Sequence, residues 1–398
     1  MLVGAQFWAY GPAGKADAVA HHLKNNGIRS DFVGHETSLE FCRRTDNFSN
    51  LIELSSESQY ANLSLDKYDA VISVMDPYLA YYAKKMNKKV FYVDSMSWFW
   101  IWKNKNNIFR DLNYLETCSP SFGLGKIKNL IPDDRQLIAH LYSDRIFSQG
   151  IPQCIPATKH KNVNAGSVID LSYRKKNKRD TVLVSLSGGI SPATNLKAAV
   201  RYAEMIMNMI EGDMRKIKKA TRFIITGHPS VINKIKKNSH IFDFKSMNHA
   251  EFLTELNRAI VTIVPCGFTT IFESIAYGTP VMFLPDNHNG HAYEFQIISN
   301  NSKSDKNQIF PNLLFPLGKS SLKNIRTIEE SMEKIEKFTN LYFDSADFRK
   351  NYSVKWRKMI NIFNEDESIF KKQKDAISYF IPTFEGAKFV SKEIMKKI

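Results

Sequence analysis

Apolar and polar positions along the chain fall into two tandem series, in which short apolar runs alternate with longer mixed segments. In the first series, Leu2 to Tyr10 predicts a strand, Gly11 to Gly14 a turn, and Lys15 to Asn26 a helix stopped by Gly27. Ile28 to Gly34 reads as the next strand. Tyr68 to Met75 is nearly continuous in apolar residues, the pattern of a parallel strand buried on both faces. A helix over Tyr78 to Met86 and a strand over Lys89 to Asp94 follow. The second series begins at Thr181, with strands over Thr181 to Leu186, Arg222 to Thr226, Ala259 to Val264 and Pro280 to Leu284. Between them come helical stretches over Asn195 to Ile210, Ala250 to Asn257 and Thr269 to Tyr277.

Strands alternating with helical crossovers predict parallel, doubly wound sheets, and such sheets present ligands beyond the carboxyl ends of their strands. The fold class expected is therefore α/β, with two Rossmann-like domains whose parallel sheets face each other across a cleft. The pattern dissolves between Pro152 and Asp180, a polar and basic stretch in which only Val168 to Leu171 reads as a short strand. The domains expected are 1–165, 166–345, and a C-terminal helical segment 346–398 that packs back on the first. Asn300 to Asn307 reads as a polar loop.

At 398 residues, 43% of them hydrophobic, the chain has enough material for two packed cores. No run approaches the ~20 apolar residues that span a bilayer, and the first apolar run lacks the basic start of a signal peptide, so a cytoplasmic location is expected. The four cysteines are widely spaced, outside any zinc-binding pattern, and read as reduced packing residues. A net charge of +15 implies an anionic partner without choosing among nucleotide phosphates, nucleic acid and an acidic membrane.

The most informative stretch is Pro265-Cys-Gly-Phe-Thr-Thr-Ile-Phe-Glu-Ser-Ile-Ala-Tyr-Gly-Thr-Pro280 and the strand after it. A buried strand runs into a turn at Gly267, then into a helix starting at Thr269 and Thr270. Such a start offers unpaired N–H groups and a positive dipole end to phosphate. Glu273, about one turn on, is placed to accept hydrogen bonds from ribose hydroxyls, as the acid of dinucleotide-binding folds does. The plainer reading is a helix-start acid.

This run resembles the donor-binding segment of GT-B glycosyltransferases, including the bacterial lipid-II N-acetylglucosaminyltransferase family. The resemblance implies a nucleotide-sugar substrate, UDP- or dTDP-linked, with no separate cofactor, and an acceptor that is a small molecule, a glycan or lipid-linked. It implies that Ser187, Gly188 and Gly189, after the first strand of the second series, lie against the diphosphate. His291, Glu294 and Gln296 are placed against the sugar, His228 beside the donor, and Phe244 at the nucleobase. In the first domain the family has a Gly-rich loop with a histidine near the helix start; this chain has Lys15 and Asp17 there instead. Lys15 suits phosphate, and Asp17 is the candidate to activate an acceptor hydroxyl, with Asp76 and Asp94 as alternatives.

Asp94 opens an aromatic run containing Trp98, Trp100 and Trp102. If exposed, the run would stack on an acceptor or touch the inner face of a membrane peripherally, with Lys103 and Lys105 at the headgroups; if buried, it is core. No Asp-x-Asp motif occurs, so no metal ion is expected. The expected activity is glycosyl transfer. A nucleotide-sugar 2-epimerase or polyol-phosphate transferase is the alternative on the same architecture, and a basic nucleic-acid-binding protein the alternative of another class.

Overall fold

The structure, a computed structural model, describes the chain except for residues 101, 103–104, 150–156, 188–189, 191–193, 237–238, 301–308 and 317–327. The chain forms two compact units, Met1–Asp170 with Phe380–Ile398, and Leu171–Tyr379.

Unit 1 holds strands β1 (Leu2–Ala5), β2 (Asp31–Gly34), β3 (Leu51–Glu53), β4 (Ala70–Val74), β5 (Lys89–Asp94), β6 (Arg145–Ser148) and β7 (Asn162–Asn164). They form one parallel sheet in the order β3-β2-β1-β4-β5-β6-β7. Helices α1 (Tyr10–Lys24), α2 (Glu36–Cys42), α3 (Pro77–Lys85), α4 (Lys105–Thr117), α5 (Pro120–Lys128) and α6 (Pro132–Tyr142) make the crossovers. Two apolar clusters cover the sheet, one built on Tyr81, Leu79 and Ile138, the other on Val19, Phe32 and Phe147. The β1 run stops at Ala5, and α1 begins at Tyr10 rather than Lys15. Pro12 falls in the first helical turn, where its missing N–H removes no helical hydrogen bond, so Gly-Pro starts the helix instead of preceding it.

The chain returns to unit 1 at its end, where the helix Gly386–Met395 packs beside α1 and adds Ala387, Val390 and Ile394 to the core. Ser167 N–H donates to Thr383 O and Gly386 N–H donates to Ser167 O, each at 2.9 Å. A Cβ at Gly166, where φ is +70°, or at Gly386 would lie 2.4 Å from a facing carbonyl oxygen, so this approach demands glycine at both places. Val168 and Ile169 are buried but join no sheet. The Val168 N–H donates to the Gln149 side chain instead of a neighbouring strand.

Unit 2 holds β8 (Thr181–Ser185), β9 (Arg222–Thr226), β10 (Asp243–Lys245), β11 (Ala259–Val264) and β12 (Val281–Phe283), parallel throughout in the order β10-β9-β8-β11-β12. Its helices are α7 (Leu196–Ile210), α8 (Pro229–Ile235), α9 (His249–Arg258), α10 (Phe268–Ala276), α11 (Asn289–Asn300), α12 (Ile328–Asp344), α13 (Ala346–Glu365) and α14 (Ile369–Ser378). Residues 346–379 belong to this unit. Trp356 of α13 is fully buried with its indole N–H donating to Ile210 O, and Gln373 of α14 bonds both backbone groups of Val281 at 2.8 Å. Of the expected polar loop, 301–307 lies outside the described residues, and Asn300 closes α11.

Both sheets reverse direction of winding once. In unit 1 the reversal lies between β1 and β4, and in unit 2 between β8 and β11. Loops leaving adjacent strands there diverge to opposite faces of the sheet, which opens a crevice at the carboxyl edge.

Candidate nucleotide site

In unit 2 the crevice is bordered by the residues after β8 and after β11. Ser187 follows β8 in the left-handed region, at φ +60°, a conformation that strains a side chain bearing a Cβ. Gly188 and Gly189 lie outside the described residues. The Ser187 carbonyl lies against Gly227, where a Cβ would come within 3.6 Å of it, so the segments after β8 and β9 are adjacent. His228 is buried as the residue before α8, and its Nδ1 accepts the Ser230 N–H at 3.2 Å. That bond places the ring proton on Nε2. Phe244 sits on the edge strand β10, half-buried against the unit 2 core and Phe242.

After β11, Gly267 caps α10 with no side chain, and a Cβ there would meet His291 Nε2 at 3.3 Å. The first helical N–H, that of Phe268, donates to the Glu294 carboxylate at 3.0 Å. Glu294 therefore binds the positive end of α10, a favourable position for a carboxylate. Thr269 and Thr270 are half-buried in the same turn, and Gln296 is half-buried on α11.

Glu273 lies further along α10 and is 3% exposed. Its Oε1 is 2.9 Å from Nε2 of His249, the first residue of α9. His249 was not foreseen from sequence. Its local signal is the Asn248–Glu251 capping box, which starts α9 at the carboxyl edge of the sheet and so brings His249 to the crevice.

Sequence reading also missed a buried group after β12. Asp286 is fully buried with no side-chain partner among the described residues, and burial, only partly offset by the backbone N–H groups of Asp286 and Phe315, pushes its pKa up to about 8. Nearby in sequence, the His288 and His291 rings are in tilted contact, with centroids 3.7 Å apart and planes at 36°. Burial lowers the His288 pKa to about 4 and holds that of His291 well below the usual imidazole range, so both rings are neutral at pH 7. The His291 Nδ1 has no partner among the described residues. Among those residues, no group of three or more His, Cys, Asp or Glu side chains is arranged to hold a metal ion.

The first-domain candidates are placed differently. Because α1 begins at Tyr10, Lys15 and Asp17 fall in its interior and are buried. Lys15 Nζ donates to Gly11 O, and Asp17 accepts the Asn47 amide at 2.7 Å. Neither lies at the helix start. Asp76 caps α3 by accepting from Tyr78 N–H and Leu79 N–H, and its second oxygen accepts the Tyr60 hydroxyl at 2.6 Å. Asp94 is 0% exposed, 2.7 Å from Nε2 of the equally buried His140, and accepts the Trp100 indole N–H at 3.1 Å. Trp98 is buried and donates to Ser95 O, while Trp102 packs into the core with its ring 5.2 Å from His140. The run is thus largely inward-facing, with Phe99 as its exposed side chain among the described residues. Lys103 lies outside them, and Lys105 donates to Ala157 O.

No protein-family model matches the chain, and no curated protein matches it in sequence. Solved structures do. Os79 from O. sativa in complex with UDP is 12% identical, with a TM-score of 0.49, over 95% of this chain and 100% of that one. The glycosyltransferase of kitacinnamycin is 9% identical at a TM-score of 0.48, over 96% and 98%. CalG4, the calicheamicin glycosyltransferase, is 10% identical at 0.46, over 95% and 97%. At these identities the similarity is one of backbone path alone. No helix among the described residues is long and apolar enough to cross a membrane.

Proposed function

We propose that the chain is a glycosyltransferase whose unit 2 binds the nucleotide of a sugar donor at the β8/β11 crevice. The observation that carries the reading is Glu273: a carboxylate buried on the helix that leaves the switch-point strand, with one oxygen committed to a protein partner among the described residues. An acceptor-only group in that place suits hydroxyl donors such as those of a ribose. The Phe268 N–H of the first turn of α10 is taken by Glu294 and that of Ser187 by the Ser185 hydroxyl, so the diphosphate is proposed to lie over the rest of that turn, which the neutral His291 adjoins.

In the proposed reaction the acceptor hydroxyl attacks the anomeric carbon, the bond from that carbon to the diphosphate oxygen breaks, and the hydroxyl proton passes to a base. Charge gathers on the departing diphosphate, where the dipole of α10 and fixed N–H groups stabilise it without reorganising. Donors linked to UDP fit this scheme, and the protein is proposed to need neither a separate cofactor nor a metal ion.

Glu273→Ala is expected to weaken binding of the donor nucleotide by about 1.5 to 3 kcal/mol, the range for a hydrogen bond to a charged group. Calorimetric titration of wild type and variant checks this, with circular dichroism to show that the variant is folded. Undiminished affinity in the folded variant would remove the reading.

A further inference from the structure

The crevice holds a residue that the proposed reading of Glu273 does not use. His249 Nε2 lies 2.9 Å from Glu273 Oε1; His249 is 8% exposed and Glu273 3%. A carboxylate so buried is costly unless hydrogen-bonded, and this contact is its only side-chain bond among the described residues. The two oxygens are not equivalent. Oε1 faces the imidazole, whereas Oε2 has no protein partner among the described residues and is not among the atoms sealed from solvent. His249 therefore sets the rotation of the carboxylate and leaves an outward oxygen that only accepts hydrogen bonds.

We propose, resting on the nucleotide reading above, that His249 is a positioning residue that aims Glu273 at a ribose diol, so that the donor carries a ribonucleoside rather than a 2′-deoxyribonucleoside diphosphate. The outward oxygen accepts one hydroxyl, and the remaining lone pair of Oε1 lies toward its neighbour. A ribose fills both positions. A 2′-deoxyribose leaves one acceptor desolvated and unmatched, and sites built to bond a hydroxyl discriminate strongly against ligands that lack it. The helix geometry supports this aim, since α9 and α10 both start at the carboxyl edge, on the two crossovers that flank β11.

The test is calorimetric titration of the full chain with UDP and 2′-deoxy-UDP, repeated with the ADP, GDP and CDP pairs, for wild type, His249→Ala, His249→Asn and His249→Gln. Wild type is expected to favour the ribonucleotide by about ten-fold or more. His249→Ala is expected to lose about ten-fold in ribonucleotide affinity with little change for the deoxy form, which collapses the ratio. Glutamine, whose amide N–H can reach the same oxygen, restores much of it. Where the alanine variant does not fold, the ratio in His249→Asn decides. Equal losses for both nucleotides, with the ratio intact, would show that His249 only supports the fold. A wild type that binds both forms equally would overturn ribose selection while leaving the nucleotide reading in place. A wild type that binds none of the ribonucleoside diphosphates overturns both.

Discussion

Replacing Asp94 by alanine is expected to lower the stability of unit 1 by about 3 to 5 kcal/mol, because each donor left without its acceptor costs about 1 to 3 kcal/mol where it is buried. Asp94 and His140 are both 0% exposed and 2.7 Å apart. The same carboxylate accepts the Trp100 indole N–H and the Met96 N–H, so its loss leaves three donors without their acceptor, the His140 ring fully buried among them. His140 Nδ1 already lacks a partner among the described residues, and the variant would leave the ring unbonded at both nitrogens. Urea unfolding followed by tryptophan fluorescence reads the effect where it arises, because Trp8, Trp98, Trp100 and Trp102 lie in unit 1 and Trp356 in unit 2. A loss under about 1 kcal/mol would mean that water reaches the pair and that the aromatic run is not core.

Asp286→Asn is expected to make unit 2 more stable at pH 8 and to leave it nearly unchanged at pH 4. The folded-state pKa of Asp286 is raised, to about 8, against about 3.9 in an unfolded chain. Between those values the folded protein holds a proton that the unfolded chain has released. Its contribution is therefore full below about pH 4 and is lost as pH rises toward 8, by about 1.4 kcal/mol per pH unit. Asparagine keeps the neutral shape and does not titrate. His288 and His291 act in the opposite sense, because their lowered pKa values remove stability as pH falls below the usual imidazole range. They are present in both proteins and cancel in the comparison. Melting temperatures of the two across pH 4 to 8 should diverge as pH rises; parallel curves would show that Asp286 is ionised and solvated in the fold.

Most inner strands were legible because central parallel strands are apolar on both faces, although β6, Arg145–Ser148, lies inside its sheet and was not read. Lys89–Asp94, Arg222–Thr226 and Ala259–Val264 occur with the expected limits. The edge strands β3, β7 and β10 have three residues each, partly polar, and carry too little pattern to be read. The start of α1 was misplaced because Gly-Pro is compatible with a turn and with a first helical turn, and only packing decides. That shift carried Lys15 and Asp17 inward.

The stretch around Glu273 could be read because the chemistry sits in consecutive residues, strand to turn to helix. His249 and His140 could not, since each gains its role from a partner 24 or 46 positions away. The sequence left open whether the tryptophan run was surface or core, and that was decided by Asp94 and His140 drawing Trp100 and Trp102 inward.

The claim that unit 2 binds nucleotide at the β8/β11 crevice is tested most directly by hydrogen exchange of the full chain with and without saturating UDP. Exchange is expected to slow at the segments around Ser187, at Gly267 through Glu273, and at the start of α9, because a ligand bound against them would damp their local opening. Unit 1 should show no comparable protection. Slowing confined to unit 1, or none at concentrations that saturate binding, would contradict the account.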